Sequence, residues 1–264
     1  MWSGHLSEIK KIVHVGDMHG NTLKLLLHLK NLGIIEMPYT IYRRCVILYL
    51  KSKDLTFDAA YDFLVLLNTL KFNPTNINNT DIIFIGDILA DRGTNDFLTL
   101  MVLNLMYVKK VSFKILFSNH DAKLIYNIFN INKGEYSKLN SFNLYEEHFC
   151  SFINLKDFMI REKQSSSFAV LHAAMKEYIK NYLRHLVLVD YSYSFESNKY
   201  YFATHAPMSK KLILELADSI YKRPFSLLNS IFFMPFEIRQ INYMFKKYFI
   251  KELIEKGVSE EYRE

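Results

Sequence analysis

The sequence predicts an α/β fold, and two observations carry the prediction. Short runs rich in Val, Ile, Phe and Tyr stop at polar clusters in "KIVHVGDMHG", "DIIFIGDILADRG", "FKILFSNHD" and "KYYFATHAP". Segments with helical apolar spacing follow the first three runs. Strand, polar turn, helix, strand is the rhythm of a βαβ sheet, and in such sheets the turns after the strands' carboxyl ends gather along one edge. All four polar clusters are therefore expected to converge.

The first run, ending at Val15, reads as a buried strand that delivers Asp17 and His19. "NTLKLLLHLKNLG" then predicts a helix with Asn21 or Thr22 as N-cap and Gly33 as its stop. From about Pro38 to Asn73 the rhythm breaks. "TIYRRCVILYLKSK" and "TFDAAYDFLVLLNTLKF" predict an inserted helical hairpin that overhangs the site, and "NPTNINNTD" reads as a loop. After the second run, "TNDFLTLMVLNLMYVKK" predicts a helix capped by Thr94 or Asn95 and closed by lysines, and "DAKLIYNIFN" predicts another after the third. The pattern from Asn127 to Leu186 is again mainly helical, with "SSSFAVLHAAMKEYIKNYLRHL" the longest candidate, started by one of Ser165 to Ser167. The tail after Pro207 alternates helical segments with Pro224 and Pro235 and ends in a charged helix, "KELIEKGVSEEYRE". No repeat or low-complexity linker divides the chain, so a single domain over residues 1–264 is expected.

Composition sets limits on function. Half of the 264 residues are hydrophobic, enough to bury a sizeable core. The net charge of +6, from 33 Lys and Arg against 27 acids, suits a phosphorylated or otherwise anionic ligand. Nucleic acid, whose binding would fall steeply with salt, is not the expected partner. Cys45 and Cys150 lie far apart without CxxC spacing, which points to neither a disulfide framework nor a zinc ribbon and favours a reducing compartment. The start, "MWSGHLSEIKK", lacks the pattern of a signal peptide, and no stretch approaches the roughly 20 apolar residues of a membrane span. A soluble, cytoplasmic protein is expected.

The clusters offer Asp17, His19, Asp87, Asp91, Arg92, Asn119, His120, Asp121 and His205. Carboxylate, imidazole and amide oxygen together favour Mn²⁺, Fe or Zn²⁺ over an all-oxygen Ca²⁺ or Mg²⁺ cage. Two ions roughly 3.5–4 Å apart, sharing a carboxylate, clamp the oxygens of an in-line phosphoryl displacement and lower the pKa of water from 15.7 toward about 7. Other histidines have plainer readings. His172 falls within a helical run and His14 within the first strand, where a half-buried packing role is expected. His5, His28, His148 and His185 read as surface or packing residues, and Arg43–Arg44, Lys109–Lys110, Arg223 and Arg239 as surface charge. The aromatic stretch "FSLLNSIFFMPF" reads as core.

"GDMHG", "GDILADRG", "SNHD" and "ATHAPMS" resemble, in order and context, the GDxHG, GDxxDRG, GNHE and HGG signatures of the calcineurin-like metallophosphoesterases, specifically the phosphoprotein phosphatase branch. The resemblance runs from about Ile12 to Ser209. Among bacterial members, the ADRG and SNHD wording resembles the Wip-type effector phosphatases of Legionella, which implies a bacterial effector secreted into a host cell. The resemblance implies a sandwich of two mixed β-sheets flanked by helices, with the helical insertion at about 38–73, and a dinuclear centre in which two divalent ions, manganese first, then iron or zinc, provide a hydroxide that attacks phosphate monoesters. Phosphoproteins or phosphopeptides are the implied substrates. On matching positions, Asp17 and His19 would bind the first metal, Asp87 would bridge, and Asn119 and His205 would bind the second. Arg92 would grip phosphate with its planar guanidinium, and His120, oriented by Asp91 and helped by Asp121, would protonate the leaving oxygen.

The sequence departs from this family's pattern in four places. One more residue separates Asp87 from Asp91 than in the common eukaryotic form, Ser118 replaces a glycine, and Ala206 and Pro207 replace two more. No histidine follows His205, where the family places a further metal ligand. Either the chain stops short of that segment, or another ligand or water completes the second site. The alternatives are a dinucleotide polyphosphatase with the same motifs and a non-catalytic module that binds a partner or a phosphorylated ligand.

Overall fold

In a computed structural model, the structure describes residues 10–139, 149–194, 196–197, 199–205 and 234–251. Strand β1 (Lys11–Val15) leads to helix α1 (Thr22–Asn31), where Asn21 is the N-cap: its side chain accepts from Lys24 N at 3.0 Å. Gly33 follows the helix at φ 67°, a left-handed position that favours glycine.

A short strand β2 (Ile35–Glu36) opens the region of the expected insertion, which holds helices α2 (Tyr39–Lys51) and α3 (Phe57–Asn68) and closes with β3 (Lys71–Phe72), paired antiparallel to β2. "NPTNINN" does not form the expected loop. The Asn73 side chain accepts from Thr75 N and Asn76 N, Pro74 occupies the first turn, and a short helix α4 (Pro74–Asn79) results.

Three more units build the main sheet. They are β4 (Thr80–Phe84) with α5 (Asp96–Val108), β5 (Ser112–Leu116) with α6 (Asn119–Asn132), α7 (Cys150–Arg161) and α8 (Phe168–His185), and β6 (Leu186–Val187). The strands pair in the order β1-β4-β5-β6, all parallel, so their carboxyl ends share one edge. β1 was expected to be buried. It is an edge strand among the described residues, paired with β4 alone, and His14 is exposed on it rather than half-buried.

The pleat sorts the sheet's two faces. Val15, Ile82, Phe84, Phe113, Ile115 and Leu186 join the principal core beneath the helices. On the other face, Ile83, Leu116 and Val187 pack with Ala203. Ala203 ends β8 (Lys199–Ala203), which pairs antiparallel with β7 (Asp190–Ser194). The last described helix, α9 (Met234–Met244), runs into a π-helical turn at Phe245–Ile250.

The two mixed sheets implied by resemblance are not what the described residues form. They make one parallel sheet and two antiparallel pairs. The chain leaves the sheet after β6, where Asn242 on α9 takes over the backbone. Its Oδ1 accepts from Leu188 N at 2.8 Å and Val189 N at 3.2 Å, and its Nδ2 donates to Val189 O at 2.8 Å. A side chain thus satisfies groups that a strand neighbour would otherwise pair. The tail at 206–233 and 252–264, including Pro207, Pro224, Arg223 and most of "FSLLNSIFFMPF", lies outside the described residues, as do His5 and His148.

Candidate active site

The loops after β1 and β4 are locked together at the carboxyl edge. Ile85 N donates to Val15 O at 2.8 Å and His19 N to Asp87 O at 2.7 Å. A Cβ on Gly93 would collide with the Gly20 carbonyl, so the second loop lies directly on the backbone of the first. His19, Asp87 and Ala90 hold φ of 53°, 48° and 56°, left-handed values that L side chains disfavour. Backbone strain of this kind persists only where surrounding structure over-determines it.

The side chains meet in the same place. His19 Nδ1 lies 2.6 Å from Asp91 Oδ2, so the ring donates Nδ1–H to the carboxylate and its Nε2 accepts from Arg92 Nη2 at 3.0 Å. Asp17 Oδ2 is 4.0 Å from that Nε2. His205 donates Nδ1–H to Ile85 O at 2.7 Å, and its Nε2 lies 3.5 Å from Asp87 Oδ1. His120 donates Nδ1–H to Ala90 O at 2.8 Å. Asp91 is 3.8 Å from the same nitrogen, so the Ala90 carbonyl, rather than the expected Asp91, orients His120. Asp121 is buried and accepts from Ser118 Oγ at 2.8 Å.

Two donor sets result, Asp17 with Asp87 and His205, and His19 with Asp87 and Asp91. The ligand atoms of each lie within 4.8 Å of one another. These residues fit a divalent cation on two grounds. Among the described residues Asp87 Oδ1 is buried without a hydrogen-bond partner, and His205 has its other ring nitrogen tied to a backbone carbonyl, the arrangement that fixes a ligating histidine's tautomer. Asn119 is exposed on the first turn of α6, immediately after the Ser118 that binds Asp87 N.

Sequence reading left several supporting residues without a role. Ser118, noted there only as a replaced glycine, is extended at φ −121°. Its hydroxyl accepts from Asp87 N and Asp121 N, both at 3.1 Å, while donating to Asp121. The added residue before Asp91 is absorbed at the left-handed Ala90, whose N–H donates to Asp96 Oδ2 at 2.8 Å. Ser151, on α7, accepts from Asp91 N at 2.9 Å. Desolvation pushes the carboxyls of Asp96 and Asp121 up, to about 7 and about 6, with neighbouring carboxylates adding to the rise. His172 bonds Tyr136 at 3.0 Å on α8, and His185 stacks on Phe113, both in packing roles.

Residues 81–263 match the family model described as the WipA-like phosphatase domain, more than half of the chain. The chain belongs to the WipA-like phosphatase-domain family. Within it, the matched segment contains Asp87, Asp91, Arg92, Asn119, His120 and His205, while Asp17 and His19 precede it. The fold is also similar to the crystal structure of the phosphatase domain from the Legionella effector WipB. The TM-score is 0.72 and the identity 22%, over 92% of this chain and 81% of that one. No curated protein matches the sequence.

Proposed function

We propose that the chain is a metal-dependent phosphatase of the calcineurin-like metallophosphoesterase class, which hydrolyses phosphate monoesters on proteins or peptides. One observation carries this reading: Asp87 Oδ1, which has no hydrogen-bond partner among the described residues, is buried where the two donor sets overlap, with His205 Nε2 facing it. Asp17, His19, Asp87, Asn119 and His205 are the residues that would hold two divalent cations. Manganese, or iron or zinc, suits mixed carboxylate, amide and imidazole donors. When bound, such cations acidify water and polarise phosphoryl oxygens.

The chain's own residues do the rest. Arg92, with 57% of its side chain exposed, grips the phosphate oxygens. Asp91 holds both His19 and Arg92, accepting from Arg92 Nε at 3.3 Å. His120, tied through Nδ1 to Ala90, keeps Nε2 for the proton that passes to the leaving oxygen. Membership of a phosphatase family favours this enzyme over the non-catalytic binding module. Similarity to a Legionella effector domain supports action as a secreted bacterial effector. Among the described residues no helix is long and apolar enough to cross a membrane.

The test is turnover of a phosphopeptide panel and of a bis-nucleoside polyphosphate with Mn²⁺ or chelator. Phosphopeptide hydrolysis that needs the metal and disappears in Asp87→Asn is expected, and Arg92→Ala lowers kcat/KM by roughly 10²–10³-fold. Preference for the dinucleotide would instead identify the polyphosphatase. No turnover by the metal-loaded protein would identify a binding module.

A further inference from the structure

We propose that Ser151 and Asn154 on α7, together with Asp96 at the start of α5, are positioning residues that hold Arg92 in its phosphate-gripping orientation. The inference rests on the phosphatase reading and adds residues to which no motif assigns a part.

Arg92 lies at an exposed edge, where a long flexible side chain loses rotamer freedom whenever it grips a ligand. Pre-ordering removes that cost, and this segment is ordered from below. Arg92 N donates to Asp91 Oδ1 at 2.6 Å and Arg92 Nε to the same oxygen at 3.3 Å. Asp91 is in turn held through both its backbone N–H and its carbonyl. Ser151 Oγ accepts from Asp91 N, and Ser151 N donates to Asp91 O, each at 2.9 Å. One turn further along α7, Asn154 Nδ2 donates to Thr94 O at 2.6 Å, so the same helix holds the chain before and after Arg92.

Asp96 completes the bracket upstream, where its carboxylate satisfies Ala90 N in the left-handed residue that precedes Asp91. Ser151 and Asp96 touch each other and close over Gly20, where a Cβ would lie 2.7 Å from Ser151 Oγ and 3.3 Å from Asp96 Oδ1. Both residues are fully buried, so neither can meet a substrate. Whatever they contribute reaches the substrate through Asp91 and Arg92.

A double-mutant cycle separates this role from general support of the fold. With Mn²⁺ and a phosphopeptide, Ser151→Ala and Asn154→Ala each lower kcat/KM by roughly 10–100-fold. In an Arg92→Ala background each costs several-fold less than in the wild type, because the group they position is gone and only what Asp91 transmits through His19 is left. Asp96→Asn, which keeps an acceptor for Ala90 N, retains most of the rate that Asp96→Ala loses. Equal losses in both backgrounds would overturn the proposal.

The second readout needs no turnover. The ¹⁵N–¹H signal of Arg92 Nε, assigned by its loss in Arg92→Ala, exchanges slowly with water in the wild type and rapidly in Ser151→Ala. A signal unchanged in both Ser151→Ala and Asn154→Ala would also overturn it. If the wild-type protein hydrolyses no phosphate ester, the phosphatase reading fails and this signal alone decides the positioning role. If Ser151→Ala does not fold, Asn154→Ala, altered at a half-buried position, carries both measurements.

Discussion

His205 and His120 share one device: each gives its Nδ1–H to a backbone carbonyl, Ile85 and Ala90, which leaves Nε2 facing the site. The carbonyls belong to the loop that carries Asp87 and Asp91, so one short segment sets two tautomers. Beneath it, Asp96 is a buried carboxyl raised to about 7 from an ordinary value of 3.8. Between those two values the native state binds more protons than the unfolded chain, so this group's contribution to stability falls as pH rises through the window and levels off above it. Expressed as stability in chelator, Asp96→Asn should remove roughly 1.4 kcal/mol of that fall per pH unit. Thermal or urea unfolding of both proteins from pH 4 to pH 8 measures it, and parallel curves would show the carboxyl ionised throughout. The convergence of Asp17, His19 and Asp87 was legible because each stands beside a strand end in the sequence itself. Ser151 and Asp96 were not, since a lone serine in a helical run and an acid in a helix's first turn have ordinary explanations.

The starts of α1 and α5 were legible because an asparagine side chain caps each. Asn21 and Asn95 both stand before an apolar run, and both accept from the first turn that follows. Between Thr94 and Asn95 the sequence left the choice open. Asn95 takes the cap, while Thr94 Oγ1 accepts from Ser52 Oγ at 2.7 Å. Asn95 also donates from Nδ2 to Ser52 O at 3.0 Å, which joins the end of the α2 region to the loop that bears Arg92. Two separate costs follow from removing it. Asn95→Ala loses the cap, about 0.5–2 kcal/mol, and leaves the Ser52 carbonyl buried without a donor, about 1–3 kcal/mol more. Asn95→Ser keeps a capping oxygen and should show only the second cost in urea unfolding. Equal destabilisation by both variants would mean that the tie to Ser52 dominates. Short elements were less legible. α4 depends on Asn73 turning an Asn-rich stretch into a helix, where composition alone favours a loop.

The shape of the whole molecule follows from where the parallel strands end, and that much was readable from strand–turn–helix order. The departure of β7 from the sheet was not, because it depends on Asn242, 53 residues beyond Val189. Convergence has an electrostatic consequence for the whole chain. A protein of net charge +6 gathers Asp17, Asp87 and Asp91 at one edge, with donors drawn from the loops after β1 and β4 and from the residues beyond β8. A cation bound there is bound by the folded state alone, since the unfolded chain scatters the same groups. At 100 times its Kd, Mn²⁺ should therefore add about 2.7 kcal/mol to stability. For a chain of 264 residues that corresponds to about 5 °C in Tm, with an unfolding entropy near 2.1 cal/mol/K per residue. Mg²⁺ at the same concentration should shift Tm less, because imidazole nitrogen suits the transition metal better. Asp87→Asn should lose most of the Mn²⁺ increment, because Asp87 belongs to both donor sets, whereas Asp17→Asn, which belongs to one, should lose part of it. A Tm that Mn²⁺ raises equally in wild type and Asp87→Asn would locate cation binding elsewhere and remove the physical basis for the metal-dependent reading.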